Sequence, residues 1–277
     1  MSFRVARQVR VIQSSFGLGS WLEPTPTVQT EKRRTTMRCA LYPTRKRVLL
    51  WTTALIVSST GMLHAGTLTV SAMANIFGAG LAAPPPGPLG NGIVPPFTAI
   101  TAGNILTFTS VTGSASFGGS IFCAPDGCPA GVDGNTGTNM NPQGGISGII
   151  DDDGVFFLTG VFLTDSPPVA PPPPTLSFTG NQNFTDLSPQ IGQVFFVGDG
   201  LTNLAQTQIF QIPSGATRLF LGFADGNSFQ GDPEFYQDNV GSLTAQFVVS
   251  PEPTSLILAA TALLGLAIAR RSNGRSS

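Results

Sequence analysis

Asp225, Asp232, Glu234, Asp238 and Asn239 crowd one short stretch of the chain. Asp225-Gly226 closes an alternating apolar run that starts at Arg218, and Asp238-Asn239-Val240-Gly241-Ser242 opens another. Carboxylate and amide oxygens at two strand ends that meet at one rim are what calcium takes, since it gathers six to eight hard oxygens with loose geometry. Asp225, Asp238 and Asn239 are the candidate side-chain ligands, with Asp232 and Glu234 adding field or further oxygens. Asp and Asn are equally what tight turns use, so a simple turn reading of this segment stays open. Asp151-Asp152-Asp153-Gly154 is a second acidic stretch. Its carboxylates are adjacent rather than alternately spaced as in an EF-hand loop, and it reads as a solvated hairpin turn.

Residues 66–250 hold eleven Asp and one Glu against a single basic residue, Arg218, and no Lys or His, a formal charge of −11 in a chain whose total is −1. That balance excludes nucleic-acid binding by phosphate neutralisation. Lacking His, the region has no Ser-His or Cys-His dyad and no ordinary zinc site; lacking Lys, it has no Schiff base or P-loop. Carboxylate catalysis survives, but nothing in the sequence singles out a paired acid and base of glycosidase type. Cys123 and Cys128 in an exported chain are expected to form a small-loop disulfide.

Phe, Val, Thr and Ile recur in short runs bounded by Gly, Pro, Asn and Asp, which is the pattern of strands and turns. Strands are expected over 68–74, 105–116, 147–150, 155–163, 207–212, 218–224 and 241–249, and no stretch between them carries a helical period. About 185 residues suffice for one core, so the expected fold is all-β, a single β-sandwich. The proline runs at 84–86 and 171–174 read as extended loops.

Both ends of the chain have a different character. Residues 1–36 are basic and mixed in pattern, and are read as preceding the true start at Met37. From there, Arg45-Lys46-Arg47, an apolar run over 48–62 and Leu63-His64-Ala65 have the layout of a signal peptide with its cleavage site. The C-terminal segment, 251–277, reads Pro251-Glu252-Pro253, an uncharged run over 254–269, then Arg270-Arg271. As a helix the run would be roughly 24 Å long, short for a permanent span of a core about 30 Å thick. This tail resembles the PEP-CTERM sorting signal of Gram-negative bacteria. The resemblance implies transient insertion in the inner membrane, processing near the Pro-Glu-Pro triplet by an exosortase-type enzyme after signal peptidase and the secretion machinery have acted, and delivery to the cell surface or extracellular matrix. An ordinary single-span anchor is the alternative.

A second resemblance covers residues 66–250. Thr69-Val70-Ser71-Ala72-Met73-Ala74-Asn75, Ala102-Gly103-Asn104-Ile105-Leu106-Thr107, Gly113-Ser114-Ala115-Ser116-Phe117-Gly118, Asp225 and Asp238-Asn239-Val240-Gly241-Ser242 are similar, in that order, to the calcium-dependent galactose-binding lectins of bacteria. The resemblance implies a jelly-roll sandwich that binds one sugar through one calcium. Asp225, Asp238 and Asn239 would be side-chain ligands, and Phe235 and Phe117 would lend backbone carbonyls. Asp225 and Asp238 would also touch the sugar. The family's sugar-contacting His has no counterpart; Asn141-Pro142-Gln143-Gly144 is similar to the loop that carries it, which makes Gln143 the candidate there. The expected function is binding of an exopolysaccharide or galactose-like glycan through calcium, without enzymatic activity. The alternatives are a structural matrix protein stiffened by calcium and, more remotely, a carboxylate glycosidase.

Overall fold

The structure, a computed structural model, describes residues 63–87 and 90–251 and positions 261, 263 and 265. It is all-β. The last strand, Val240–Pro251, lies second from the edge of a six-stranded sheet and shows how alternation becomes a buried face: Leu243, Ala245, Phe247 and Val249 are buried, and the residues between them are not. It pairs antiparallel with His64–Ser71 on one side and with Asn104–Phe117 on the other, with a bulge between Gln246 and Phe247. Beyond Asn104–Phe117 lie Ile209–Gln211 and then Asp186–Leu187, and Ile121–Cys123 folds back along its far end. The first and last strands of the domain are therefore neighbours, closed over a long sequence separation.

A second sheet runs Val194–Phe196, Thr159–Leu163, Arg218–Gly222, Phe97–Ala99. Thr159–Leu163 is buried at every position and Arg218–Gly222 at all but Arg218, so these central strands are covered on both faces. A smaller sheet joins Leu176–Ser177, Ile149–Asp151, Thr138–Met140 and Gln230–Gly231, and a two-stranded ribbon joins Cys128–Pro129 to Gly154–Val155. The Cys123–Cys128 disulfide forms, with S–S 2.05 Å.

Phenylalanine fills the interior. Phe108 and Phe247 of the six-stranded sheet meet at 6.3 Å, Phe108 meets Phe210 at 5.6 Å, and Phe210 meets Phe195 of the second sheet at 5.3 Å. The ring chain thus passes from one sheet into the other and continues to Phe162 at 5.0 Å. Edge and tilted contacts of this kind add to the area each ring buries.

All seven expected strands are present in part, with two instructive differences. The run 155–163 is broken, because Phe156 takes a left-handed φ of 55° and its ring stacks on Phe223 at 4.6 Å, leaving separate strands at Gly154–Val155 and Thr159–Leu163. The last strand also runs on into Pro251, opposite Asn104, after the first strand has ended opposite Val249. A proline is tolerated at such a strand end. His64 and Ala65 of the expected cleavage site belong to the first strand. Glu252, Pro253, Arg270, Arg271 and residues 37–62 lie outside the described residues, and no helix among the described residues is long and apolar enough to cross a membrane.

Because Phe210 is fully buried and touches Phe108, Phe184 and Phe195, Phe210→Ala should destabilise the domain by about 4 kcal/mol. Denaturant unfolding of the two proteins measures this; a loss under about 1 kcal/mol would remove Phe210 from the core's centre.

Candidate cation and ligand site

Asp225 follows the strand Arg218–Gly222, and Asn239 precedes Val240–Pro251. The folding of the segment between them brings the two together. Tyr236 is the pin: its buried hydroxyl donates to the Phe223 carbonyl at 3.0 Å and accepts from the Asp225 N–H at 2.9 Å. Asp225 is 3% exposed and Asn239 2%. Asn239 Nδ2 donates to Asp225 Oδ2 at 2.7 Å and to the Ala72 carbonyl at 3.3 Å, and the Gly226 N–H donates to Asp225 Oδ1 at 2.8 Å. Asn239 Oδ1 is buried and accepts nothing. Flipping the amide would set its oxygen against a carboxylate and a carbonyl, so the orientation is fixed by its partners.

These residues border a cavity of about 260 Å³ lined by Phe117, Asp225, Phe235 and Asp238 among others. The structure therefore gathers four of the five candidate cation residues at the cavity and holds the fifth, Asn239, against Asp225. Among the described residues, four of the six non-glycine residues with positive φ also line it: Asp133, Ser228, Phe229 and Phe235, between 52° and 69°. Such conformations are costly and concentrate where a site over-determines its loops. Beneath the rim, Phe117 packs edge-on against Phe229 at 5.0 Å and against Phe156 at 5.6 Å, an apolar floor under polar walls.

Burial pushes the Asp225 carboxyl up from 3.8 to about 7; hydrogen bonds from Asn239 and Gly226 pull it down, and the charge of Asp238 pushes it further up. Burial, reinforced by the charge of Asp225, likewise raises the Tyr236 phenol. A carboxylate so placed calls for a proton or a cation.

Other expected residues lie elsewhere. Gln143 sits in a tight turn, bonded backbone to backbone with Ile146, and does not line the cavity. Asp232 accepts from Asn141 Nδ2 at 2.8 Å, and neither it nor Glu234 lines the cavity. The acidic turn is solvated at Asp152 and Asp153 but not at Asp151, which is buried, accepting from Gln182 at 2.5 Å and from the Asp153 N–H at 3.0 Å, and the turn joins strands of different sheets and not a hairpin. Asp133, Asn135 and the hydroxyl of Tyr236 escaped the sequence reading. Gly131-Val132-Asp133-Gly134-Asn135 looks like any other turn, and only the rarity of tyrosine, two in the chain, distinguishes Tyr236. Comparison with known protein families, curated proteins and solved structures finds no match.

The raised Asp225 carboxyl means that the folded state binds this proton more tightly than the unfolded chain does. Its stabilising effect is full below about pH 4 and is lost as pH rises towards about 7. In chelator, the unfolding free energy should therefore fall between those limits by up to roughly 4 kcal/mol, measured by denaturant unfolding at each pH, and Asp225→Asn should flatten that slope. An unchanged slope in the variant would assign it to other groups. Tyr236→Phe leaves the buried Asp225 N–H unpaired and takes one of two donors from the Phe223 carbonyl, which keeps the Ile76 N–H, and should cost about 2 kcal/mol in denaturant unfolding; a neutral result would mean the hydroxyl pins nothing.

Proposed function

We propose that this is an exported surface or matrix protein whose all-β domain, a β-sandwich of jelly-roll type, binds a neutral glycan through calcium. The observation that carries the reading is the buried, unpartnered Asn239 Oδ1, held beside an Asp225 carboxylate that burial has made costly to ionise. A divalent cation answers both needs at once, accepting the amide oxygen and balancing the carboxylate. Asp225, Asp238 and Asn239 would hold it, with backbone carbonyls of Phe117 and Phe235. Among the described residues no three His, Cys, Asp or Glu side chains group as a metal site. The set would therefore depend on amide and carbonyl oxygens, which suit calcium and not zinc. With so few carboxylates, affinity belongs near the 10⁻⁴–10⁻³ M order of extracellular modules.

Calcium accepts sugar hydroxyls in place of water, so two adjacent hydroxyls of a glycan could complete its shell from the cavity side. An exopolysaccharide is the natural ligand if the tail, Pro251 to Arg271, sorts the protein as its resemblance implies. The near-complete burial of Asp225 and Asn239 favours a second reading, in which the ion only stiffens these loops.

Calorimetric titration of calcium into metal-stripped full-length protein, then of galactose and host exopolysaccharide, tests the reading. The expected result is calcium binding that Asp238→Ala abolishes and sugar binding only in the calcium form. Calcium binding with no sugar response would assign the ion a structural role. No calcium binding would sink the site.

A further inference from the structure

Most carboxylates of this domain are tied down. Asp126, Asp151, Asp153, Asp165, Asp186, Asp199, Asp225 and Asp232 each accept a hydrogen bond from a neighbouring side chain or N–H. Two carboxylates that line the site cavity, Asp133 and Asp238, have no partner among the described residues. Asp238 is accounted for by the calcium reading, but Asp133 is not.

Asp133 sits on a turn built to hold it. The turn is closed by the Gly131 N–H donating to the Asn135 carbonyl at 2.6 Å and the Asn135 N–H donating to Val132 at 3.0 Å, and the half-turn places Asp133 at a left-handed φ of 52°. Asn135, itself buried, adds a side-chain bond to Val132 at 3.1 Å. The strand just before the turn, Cys128–Pro129, is fixed by the disulfide at Cys128 and by pairing with Gly154–Val155, and the Ala130 N–H donates to the Asp153 carbonyl at 2.9 Å. This rigid mount presents an exposed carboxylate to the cavity. Asp133 does not group with Asp225 and Asp238 as a third carboxylate ligand. It lines the same cavity as Asp225 and Asp238, which places it to meet what fills that cavity.

Resting on the calcium–glycan reading, we infer that Asp133 is the specificity-determining residue of this site: its carboxylate accepts a hydroxyl hydrogen bond from a neutral sugar unit held on the ion, and repels a sugar that carries a carboxylate. An ionised carboxyl only accepts, so it suits a hydroxyl donor and opposes an anion. The cavity, about 260 Å³, lies just under the usual range for small-molecule sites. It therefore suits a single ring, such as a chain-terminal unit, and not an internal polymer segment.

The test uses the full-length protein in calcium with methyl galactoside and its C6-carboxylate counterpart, which share a ring and differ in charge. The wild type should bind the neutral glycoside and reject the anionic one. Asp133→Ala should weaken the neutral glycoside about tenfold, the scale of one hydrogen bond to an exposed charge. Asp133→Asn, which keeps an acceptor, should retain neutral binding within about threefold and narrow the discrimination against the anionic ring. Calcium affinity should stay within about twofold in both variants. A fall in calcium affinity would make Asp133 a cation ligand, and unchanged sugar affinity and discrimination would remove it from the sugar; either outcome overturns the inference. Failure of the wild type to bind calcium would instead overturn the calcium reading itself, and is seen before any Asp133 variant is tried.

Discussion

The hydrogen bond from Asn239 to Asp225, 2.7 Å long and shut away from water, is where the fold and the site become one problem. Asp225 lies just past the strand Arg218–Gly222 of the second sheet, and Asn239 just before the last strand, Val240–Pro251, of the six-stranded sheet. Asn239 also reaches the Ala72 carbonyl, just past the first strand. One amide thus ties three separate stretches of chain, and ties them to a carboxylate that has lost its water. Burying an unpaired carboxylate is costly enough that it protonates or finds a cation. With the carboxyl drawn up to about 7, both solutions compete near neutral pH.

The surroundings hold this strained centre in place. Tyr236 fixes the Asp225 backbone from below, and the Phe117, Phe156, Phe223 and Phe229 rings form a dry floor. Left-handed residues are tolerated on the loops above because the floor and the strand ends leave those loops little alternative. Closure of the first strand against the last brings Ala72 alongside Asn239, and pairing of the last strand with Asn104–Phe117 brings Phe117 to the same rim. The rim can form only when sheet pairing over the whole domain is complete, so its loops gain order from the core and not from their own sequence.

That dependence explains what could be read from the residues alone. Long alternating runs such as Leu243-Thr244-Ala245-Gln246-Phe247 announce their strand and its buried face, because the period of two is imposed by the pleat itself. Asp225, Asp238 and Asn239 were legible because they stand at the ends of such runs. Strands of two or three residues, such as Thr138–Met140 and Gln230–Gly231, carry too few positions to show a period and exist only because a neighbour pairs with them. Asp133 was invisible for the same reason: a Gly-Val-Asp-Gly turn has no local mark of what it faces. Gln143 shows the opposite error, a similar loop that packs elsewhere. The break at Phe156 came from a ring stack that no pattern of apolar residues encodes.

The charge inventory gives the site its logic. Twelve carboxylates share the domain with one basic side chain, and that one is already occupied: Arg218 donates to the Thr164 and Ser166 carbonyls and lies over the Phe97 and Phe220 rings at 5.8 and 5.1 Å. No lysine or histidine exists in residues 66–250 to stand beside Asp225. A lysine or arginine there would have neutralised the carboxylate permanently and closed the cavity to any other cation. With basic side chains withheld, the balancing charge has to come from solvent, as a proton or as an ion that can leave again. If the domain is exported, as proposed, calcium is the cation at hand, and the net negative field of residues 66–250 raises the local concentration of cations. The same field disfavours anionic partners.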